Sequence, residues 1–391
     1  MPACLRLSTL LAAPLAVALF VTVAPAATAP LPRGDIFNFP GANPSPSSAS
    51  SAGFALADRW LGDEPFNSAV GALGSGVSLS PMLQRLSRQD LRARNTKYDE
   101  TRAFFDAAGG SIAYALPRSA WGVCAYATQP VFRREESAFQ EGVSTEPAIP
   151  AVVRTTTKTR EWRTGVAVAY RAGSWAFGVA PELVKRVDLL TVAREGANQT
   201  GLADTWDLSG SGQSVLASAR YTSSRPGPHD WRIGASVRAL PKLELIGTVP
   251  VTNGGGSVAA TVSRESAWEG GVSLEARITP EFQLLLGAGG RTATEWTGIA
   301  ASNGASGQVA LAGEYHDPQL PWTFRFGVGR ESNPGTHESS ASQVGLGLGW
   351  QDGDLRYDFG VLHRGLQRSG APNSSDDRVV GSVTLKMGRG R

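Results

Sequence analysis

Alternation between large apolar side chains and small or polar ones constrains this chain more than any other feature. The alternation is clearest between residues 305 and 387, for example in Trp-Thr-Phe-Arg-Phe-Gly-Val-Gly at 322–329. Residues 343–350 and 355–361 repeat the same scheme. Successive side chains of a β-strand point to opposite faces of the sheet. Each stretch therefore predicts a strand with one apolar face, in either a membrane barrel or a soluble sandwich.

The same pattern divides the chain from residue 77 onward into about fourteen predicted strands. These strands are 77–90, 103–116, 121–134, 160–171, 174–190, 207–224, 230–247, 264–278, 281–297, 305–316, 321–332, 340–350, 354–367 and 377–387. Short turns alternate with longer polar loops near 91–102, 135–159, 191–206, 248–263, 298–304, 333–339 and 368–376. Short turns at one end and long loops at the other are typical of an outer-membrane β-barrel.

The tryptophans favour the membrane barrel over the sandwich. One group lies beside the short turns: Trp121, Trp175, Trp231, Trp322 and Trp350. A second group lies beside the long loops: Trp162, Trp206, Trp268 and Trp296. Indole rings prefer the membrane–water interface, so the two groups predict two aromatic girdles. The predicted fold is all-β, an antiparallel transmembrane β-barrel of about 14 strands with an N-terminal plug segment.

Charged residues alternate with the apolar residues along these strands. A charge on the lipid face costs about 2–4 kcal/mol near the bilayer midplane, so we place the charges inside. The candidate lumen-lining residues are Arg232, Arg238, Glu269, Glu275, Arg277, Glu314, Arg325, Arg356 and Asp358. Salt bridges that pack a plug or line a channel are their simplest interpretation.

The N-terminus predicts export. Arg6 precedes an apolar run at 10–23 and an Ala-Pro-Ala site, the pattern of a secretory signal peptide cleaved after Ala26. We therefore divide the chain into a signal peptide (1–26), a flexible lead and N-terminal plug or hatch segment (27–75), and a transmembrane β-barrel (76–391). Cleavage removes Cys4 and leaves Cys124 alone, so no intramolecular disulfide is expected.

Composition argues against several functional classes. The net charge of +3 is too balanced for a nucleic-acid surface, and the four histidines are scattered without metal-ligand spacing. Glycine-rich stretches at 287–290 and 345–349 lie within predicted strands rather than before a helix, which argues against a nucleotide site. We expect no metal, no cofactor, no catalytic residues and no enzyme activity, although a lipase or protease with residues spread across strands stays open.

One local stretch carries a resemblance to a known family. Asp63, Glu64, Pro65, Phe66, Asn67, Ser68 and Ala69 resemble the Asn-Pro-Ala hatch of the FadL-type outer-membrane transporters, with Ser68 in place of the proline. The overall pattern of signal peptide, N-terminal segment and about fourteen strands is similar as well. The resemblance implies that residues up to about Ser75 plug the lumen. It also implies that a hydrophobic ligand enters from outside and leaves sideways at a kink in the third strand.

Pro130 is the candidate lateral gate, because proline cannot donate a ladder hydrogen bond in that strand. The alternative is that Pro130 merely begins the loop at 135–159.

The leading functional hypothesis is a bacterial outer-membrane transporter for small hydrophobic compounds such as fatty acids, acting by ligand binding and rearrangement of the plug and lateral gate. Its expected partners are a hydrophobic ligand, the lipid bilayer and the barrel-assembly machinery, with no nucleic acid and a monomeric state. A general diffusion porin for polar solutes is the runner-up. A surface adhesion or structural barrel and a soluble periplasmic β protein are further alternatives.

Overall fold

The structure, a computed structural model, describes residues 46–88, 103–142, 150–195, 203–223, 230–250, 257–297, 301–335, 338–368 and 374–387. A short helix, α1 (Ala49–Gly53), and a 3-10 helix (Ala69–Leu73) precede the strands. The predicted signal peptide lies outside the described residues, as do residues 27–45 of the predicted lead and residues 388–391 of the C-terminus.

Fourteen strands follow, four of which are interrupted for two residues. The uninterrupted strands are β1 (Gly76–Arg88), β2 (Ala103–Ala115), β3 (Trp121–Gly142), β4 (Pro150–Ala172), β5 (Trp175–Glu195), β6 (Ala203–Thr222), β11 (Trp322–Gly335), β12 (Glu338–Asp352), β13 (Leu355–Arg368) and β14 (Ser374–Lys386). The interrupted strands are β7 (Trp231–Leu240 and Leu243–Pro250), β8 (Ser257–Arg264 and Ala267–Arg277), β9 (Phe282–Arg291 and Thr294–Thr297) and β10 (Ala301–Asn303 and Ser306–His316).

Every strand pairs antiparallel with the next, and β1 pairs with β14, for example through Leu79 opposite Val383. The sheet is therefore a closed barrel, which removes the unpaired edges that hydrocarbon cannot satisfy. The predicted count of fourteen antiparallel strands is confirmed. At the four interruptions, which lie side by side in the wall, the register continues unchanged across the β7–β8, β8–β9 and β9–β10 ladders.

The predicted loop at 135–159 is wrong over most of its length. β3 runs on to Gly142 and β4 begins at Pro150, so 135–142 and 150–159 form a ladder. Polar residues such as Thr155, Thr156 and Thr157 give no apolar alternation, so the sequence pattern does not predict this extension. A strand beyond the bilayer needs only backbone pairing, and β-branched threonines favour it whatever their polarity.

The outer surface of the barrel is apolar along its middle. Residues such as Val166, Leu183, Leu311 and Val328 are about half exposed there. No helix among the described residues is long and apolar enough to cross a membrane. An exposed apolar band of this extent around a closed sheet is the surface that a lipid bilayer covers.

Aromatic residues ring the barrel at the end that carries the short turns, which we call the lower end. Rings contact one another across neighbouring strands, with centroid distances of 4.8 Å for Trp121–Tyr170, 5.1 Å for Trp175–Tyr221 and 6.1 Å for Trp322–Trp350. This is the predicted lower girdle.

The predicted upper girdle is partly wrong. Trp268 is 58% exposed on the outer surface, but Trp296 is buried inside the barrel. Trp206 stands opposite the buried Leu190 and therefore faces inward as well. The strand-end positions were visible in the sequence, but the interruption in β9 and the added length of β6 decide which face these two rings occupy.

The apolar band gives a testable contrast between two leucines. Leu311 in mid-strand and Leu320 in a lower turn are 51% and 52% exposed. We expect Leu311→Arg to destabilise the membrane-inserted barrel by about 2–4 kcal/mol, because the charge enters hydrocarbon. Leu320→Arg is the matched control and should change little. Urea unfolding in lipid vesicles measures both; equal effects would contradict the assignment of the lipid face.

Candidate functional site

The N-terminal segment (residues 46–75) follows the inner face of the barrel wall. Its carbonyl groups contact glycines of the wall. Along the segment, these glycines lie on β13, β12, β11, β9, β7, β5 and β3, in that order. The contacts are Ala49 on Gly360, Ala52 on Gly345, Phe54 on Gly327, Ala57 on Gly287, Trp60 on Gly234, Ala69 on Gly178 and Ala72 on Gly122. A segment that meets strands all round the ring lies within it.

These contacts are too close for any side chain. A Cβ atom added at Gly360 would lie 2.1 Å from the Ala49 carbonyl oxygen, and one at Gly122 would lie 2.1 Å from that of Ala72. Only glycine lets two backbones approach this closely. Glycine makes up 46 of the 391 residues. The glycines named above leave room for the backbone of the N-terminal segment against the wall.

Inward hydroxyl groups satisfy the backbone of the segment. Ser382 Oγ accepts from the Ala49 N–H at 2.8 Å, and Ser218 Oγ accepts from the Ala69 N–H at 2.9 Å. Ser273 Oγ accepts from the Trp60 N–H and donates to the Ala57 carbonyl at 2.8 Å. Buried backbone groups need such partners, so these serines fix the path of the segment.

The predicted hatch residues lie in the second half of this segment. Asp63 is exposed and pairs with Arg232 at 2.7 Å, while Glu64 accepts from Ser47 Oγ at 2.9 Å. Phe66 is buried edge-on to Tyr126, with ring centroids 6.1 Å apart. Of the remaining members, Pro65, Ser68 and Ala69 are also buried, and the Asn67 amide donates to Ser47 Oγ.

Most of the predicted lumen residues form ion pairs on the inner face. Arg232 pairs with Glu275, and Arg325 joins Glu314 and Asp358 at 2.6 Å each. The remaining members are Arg356, paired with Asp358 at 2.8 Å, Arg238 and Glu269, which belong to the layer described next, and Arg277, exposed at the lower end of β8.

Above the N-terminal segment lies a buried arginine layer that spans β4 to β9. It comprises Arg59, Arg163, Arg186, Arg238, Arg264, Arg291, Glu161, Glu182, Asp188 and Glu269. At its centre, the Glu161 carboxylate receives Arg163 and Arg264 at 2.9 Å each, with Arg186 at 3.7 Å. Buried charges are tolerated only when paired in this way.

Arg238 couples this layer to the N-terminal segment. Its guanidinium donates to Glu182 at 2.9 Å, to Glu269 at 3.0 Å and to the Phe66 carbonyl at 2.7 Å. Glu269 also pairs with Arg59 at 2.7 Å. One fully buried side chain thus joins two strands of the wall to the predicted hatch.

Among the described residues, the arginine layer as defined above contains six guanidinium groups and four carboxylates. Arg264 is fully buried, yet its Nε and Nη2 have no hydrogen-bond partner in the described structure. Buried donors without partners are costly. The layer therefore offers free donors to an anionic group.

An upper apolar cluster lies beside the arginine layer on the inner face. It consists of Val184, Leu208, Leu243, Leu245, Val262 and Trp296, all at most 4% exposed, with Val249 packed against it. The Arg186 guanidinium lies 4.9 Å from the centre of the Trp296 ring, so cation and cluster are in contact. Apolar surface and buried guanidinium groups thus meet at one place, since Leu243 and Trp296 also stand opposite Arg264 in the neighbouring strands.

The wall is irregular at Pro130. The β2–β3 ladder ends at Gly109 opposite Thr128, and the β3–β4 register shifts between Thr128 and Val131. Pro130 supplies no N–H for a ladder bond. β3 nevertheless continues beyond it, so the alternative that Pro130 begins a loop is wrong.

Sequence reasoning missed the core of the arginine layer. Glu161 with Arg163, and Arg186 with Asp188, are spaced by two residues in predicted strands and so had a readable signal. Arg264 and Trp296 had none, because both lie next to strand interruptions that the pattern did not reveal. Within the described ranges, no group of three or more metal-binding side chains comes together.

Two carboxyl groups of the N-terminal segment, those of Asp58 and Glu64, lie in surroundings that disfavour their ionised forms. Burial and the neighbouring Glu64 raise the pKa of Asp58 well above its ordinary value, and burial raises the pKa of Glu64. Oδ1 of Asp58 has no hydrogen-bond partner in the described structure. The protonated forms of these groups are therefore favoured when the segment is docked.

Comparison with known proteins gives the fold. No protein-family model and no curated protein sequence matches the chain. A Pseudomonas aeruginosa FadL homologue matches with a TM-score of 0.64 and 11% identity, over 88% of this chain and 100% of that one. This chain has the fold of the FadL-type barrels.

Two further solved structures agree. The Ralstonia pickettii toluene transporter TbuX has a TM-score of 0.58 and 12% identity, over 87% of this chain and 98% of its own. The Pseudomonas putida toluene transporter TodX has a TM-score of 0.58 and 12% identity, over 90% and 100%. The FadL-type architecture thus extends over nearly the whole chain.

The glycine contacts can be tested with one pair of variants. Gly360→Ala should displace α1, because the new Cβ would overlap the Ala49 carbonyl, at a cost of about 1–3 kcal/mol. Gly381→Ala is the matched control, since its Cβ would meet only ordinary contacts at 3.6 Å. Protease cleavage within residues 46–75 reports release of the segment; equal protection in both variants would contradict the packing.

Docking of the N-terminal segment should weaken as pH rises. The docked Asp58 and Glu64 hold protons more tightly than the released segment does, so docking is strongest at or below the ordinary carboxyl pKa. It declines as pH rises through the raised pKa values.

Hydrogen exchange of residues 49–73 should therefore speed up between mildly acidic and neutral pH, beyond the intrinsic rate change. Asp58→Asn/Glu64→Gln should remove this dependence, whereas Asp63→Asn should retain it; a pH-independent wild-type protein would contradict the assignment.

Proposed function

We propose that this chain is a bacterial outer-membrane channel that binds small hydrophobic compounds, fatty acids among them, and passes them without chemistry. The observation that carries the proposal is the upper apolar cluster beside the arginine layer. An acyl chain would lie against Leu243, Leu245 and Trp296, and its carboxylate would accept from the free donors of Arg264. Charge-assisted hydrogen bonds of this kind are strong in a dry site.

The N-terminal segment is proposed as the plug. Its contacts with glycines of strands from β3 to β13 support a position of residues 49–72 across the path of a solute. Arg238 binds Glu182, Glu269 and the Phe66 carbonyl together, which gives a ligand in the arginine layer a direct connection to the hatch. Competition for these arginines would loosen the plug.

Pro130 is proposed as the lateral gate. The β2–β3 ladder stops two residues before it, and among the described residues β2 above that point has no ladder partner on this side. A hydrophobic molecule leaving there enters the bilayer rather than water, which suits a cargo with little affinity for the periplasm. Proteins of similar fold include structures described as toluene transporters, which is consistent with hydrophobic cargo.

Ligand binding tests the proposal. Decanoate should quench the fluorescence of the purified protein, and Trp296→Phe should remove most of that change. Arg264→Met should weaken decanoate binding about tenfold or more, since one charge-assisted hydrogen bond contributes about 1.5–3 kcal/mol. Decanol, which lacks the carboxylate, serves as the matched ligand and should bind both proteins alike. No quenching by either ligand, together with sugar-driven liposome swelling, would favour the diffusion porin instead.

A further inference from the structure

Part of one edge of β2 has no ladder partner among the described residues. The ladder to β3 joins residues 109–115 to 122–128, whereas β2 begins at Ala103 and stays paired to β1 as far as Ala103 opposite Arg85. Residues 103–108 thus present one edge without a paired strand among the described residues. Hydrocarbon cannot satisfy the backbone groups of such an edge, so side chains must protect it.

β3 passes across the inner face of β2 at this level. The Phe132 carbonyl accepts from Gln84 Nε2 at 3.3 Å and from Arg378 Nη2 at 3.2 Å. Gln84 lies on β1 and Arg378 on β14, both on the far side of β2. The Phe132 ring packs with Met82 and Ala108. The displacement of β3 inward leaves residues 103–108 of β2 without a ladder to β3, and we call this opening in the ladder between β2 and β4 the gap.

An ion pair joins β2 to β4 across this gap. Arg160 Nη2 on β4 lies 2.6 Å from Asp106 Oδ2 on β2, with the two side chains 29% and 13% exposed. The Arg160 guanidinium lies 5.4 Å from the centre of the Phe132 ring. The other carboxylate oxygen of Asp106 accepts from the Ala107 N–H at 2.9 Å. Asp106 therefore satisfies one backbone group of β2 and holds Arg160 across the opening.

We propose that the Asp106–Arg160 ion pair is the latch of the lateral gate. The pair holds β4 to β2 in the resting barrel, and a molecule leaving between these strands must first separate it. This inference rests on the proposed function, because a latch matters only if cargo leaves sideways at Pro130.

The strength of the pair suits a reversible latch. Fully exposed ion pairs contribute little, and fully buried ones are costly to break. A partly exposed pair lies between these limits. Arg160 also stays beside Phe132 when the pair opens, so the cation remains near its partner and the gate recloses.

Neutral substitutions test the latch. Asp106→Asn keeps the oxygen that accepts from Ala107 and removes the charge, and Arg160→Gln removes the other charge. Each single variant should release a fluorescent fatty acid into vesicles roughly three- to tenfold faster than wild type, the effect of a partly buried pair. The double variant should match the single variants, because both remove the same interaction.

The matched control is another interstrand ion pair that does not lie at the gap. Lys242 and Glu265 join β7 and β8 at 3.1 Å, and both are about half exposed. Glu265→Gln should leave the release rate unchanged. Equal acceleration by Glu265→Gln and Asp106→Asn would overturn the latch and point to a general effect of surface charge.

A covalent lock provides the complementary test. Asp106→Cys/Arg160→Cys in a Cys124→Ala background is joined by a short, reducible bifunctional maleimide. Release should fall by roughly tenfold or more and return after reduction, while a monofunctional maleimide should have no such effect. Fatty-acid binding, followed by fluorescence, should persist in the locked protein. Undiminished release from it would overturn the latch but not the proposed function, whereas wild-type protein that neither binds nor releases the fatty acid would overturn the proposed function itself.

Discussion

Contact between two backbones is the interaction on which the interior of this barrel depends. The N-terminal segment lies directly on the wall, with carbonyl groups such as those of Ala49 and Ala72 seated on Gly360 and Gly122. Any side chain at these positions would collide with the segment. The backbone of the N-terminal segment therefore requires glycine at these positions of the strands. The close approach also brings Phe66 and Arg59 within reach of wall residues and thereby sets where the charged layer forms.

The two solvents around the wall explain the distribution of charge. Lipid on the outside disfavours ionised groups in the middle of that face, so charged residues such as Arg238 and Glu269 point inward. Inside, burial costs several kcal/mol per ion unless partners and hydrogen bonds compensate, and the network centred on Glu161 and Arg238 supplies most of that compensation. Nε and Nη2 of Arg264, beside Leu243 and Trp296, have no hydrogen-bond partner in the described structure. This is the place at which we propose that an anionic, apolar ligand binds.

The fold was largely predictable from the sequence and the site only in part. Period-two alternation reveals strands wherever one face meets lipid, so stretches such as 322–329 were readable. The alternation does not predict a strand that extends beyond the bilayer, as at 150–159, because no apolar face is needed there. Inward charges such as Arg238 and Glu269 followed from the same alternation. The high glycine content of the chain was visible, but the carbonyl group that contacts each glycine lies far away in sequence. The strand interruption that turns Trp296 inward has no local signal in the sequence.

Electrical conductance across a planar bilayer tests most directly whether the N-terminal segment fills the lumen. If the segment is the proposed plug, the full chain should conduct little, because the backbone of the segment and the arginine side chains would occupy the passage between the strands. A variant lacking residues 46–75 should fold into the same barrel and conduct ions several-fold more, since no wall residue replaces the missing backbone. Equal and high conductance of both proteins would show that the segment leaves the lumen open and would contradict the plug.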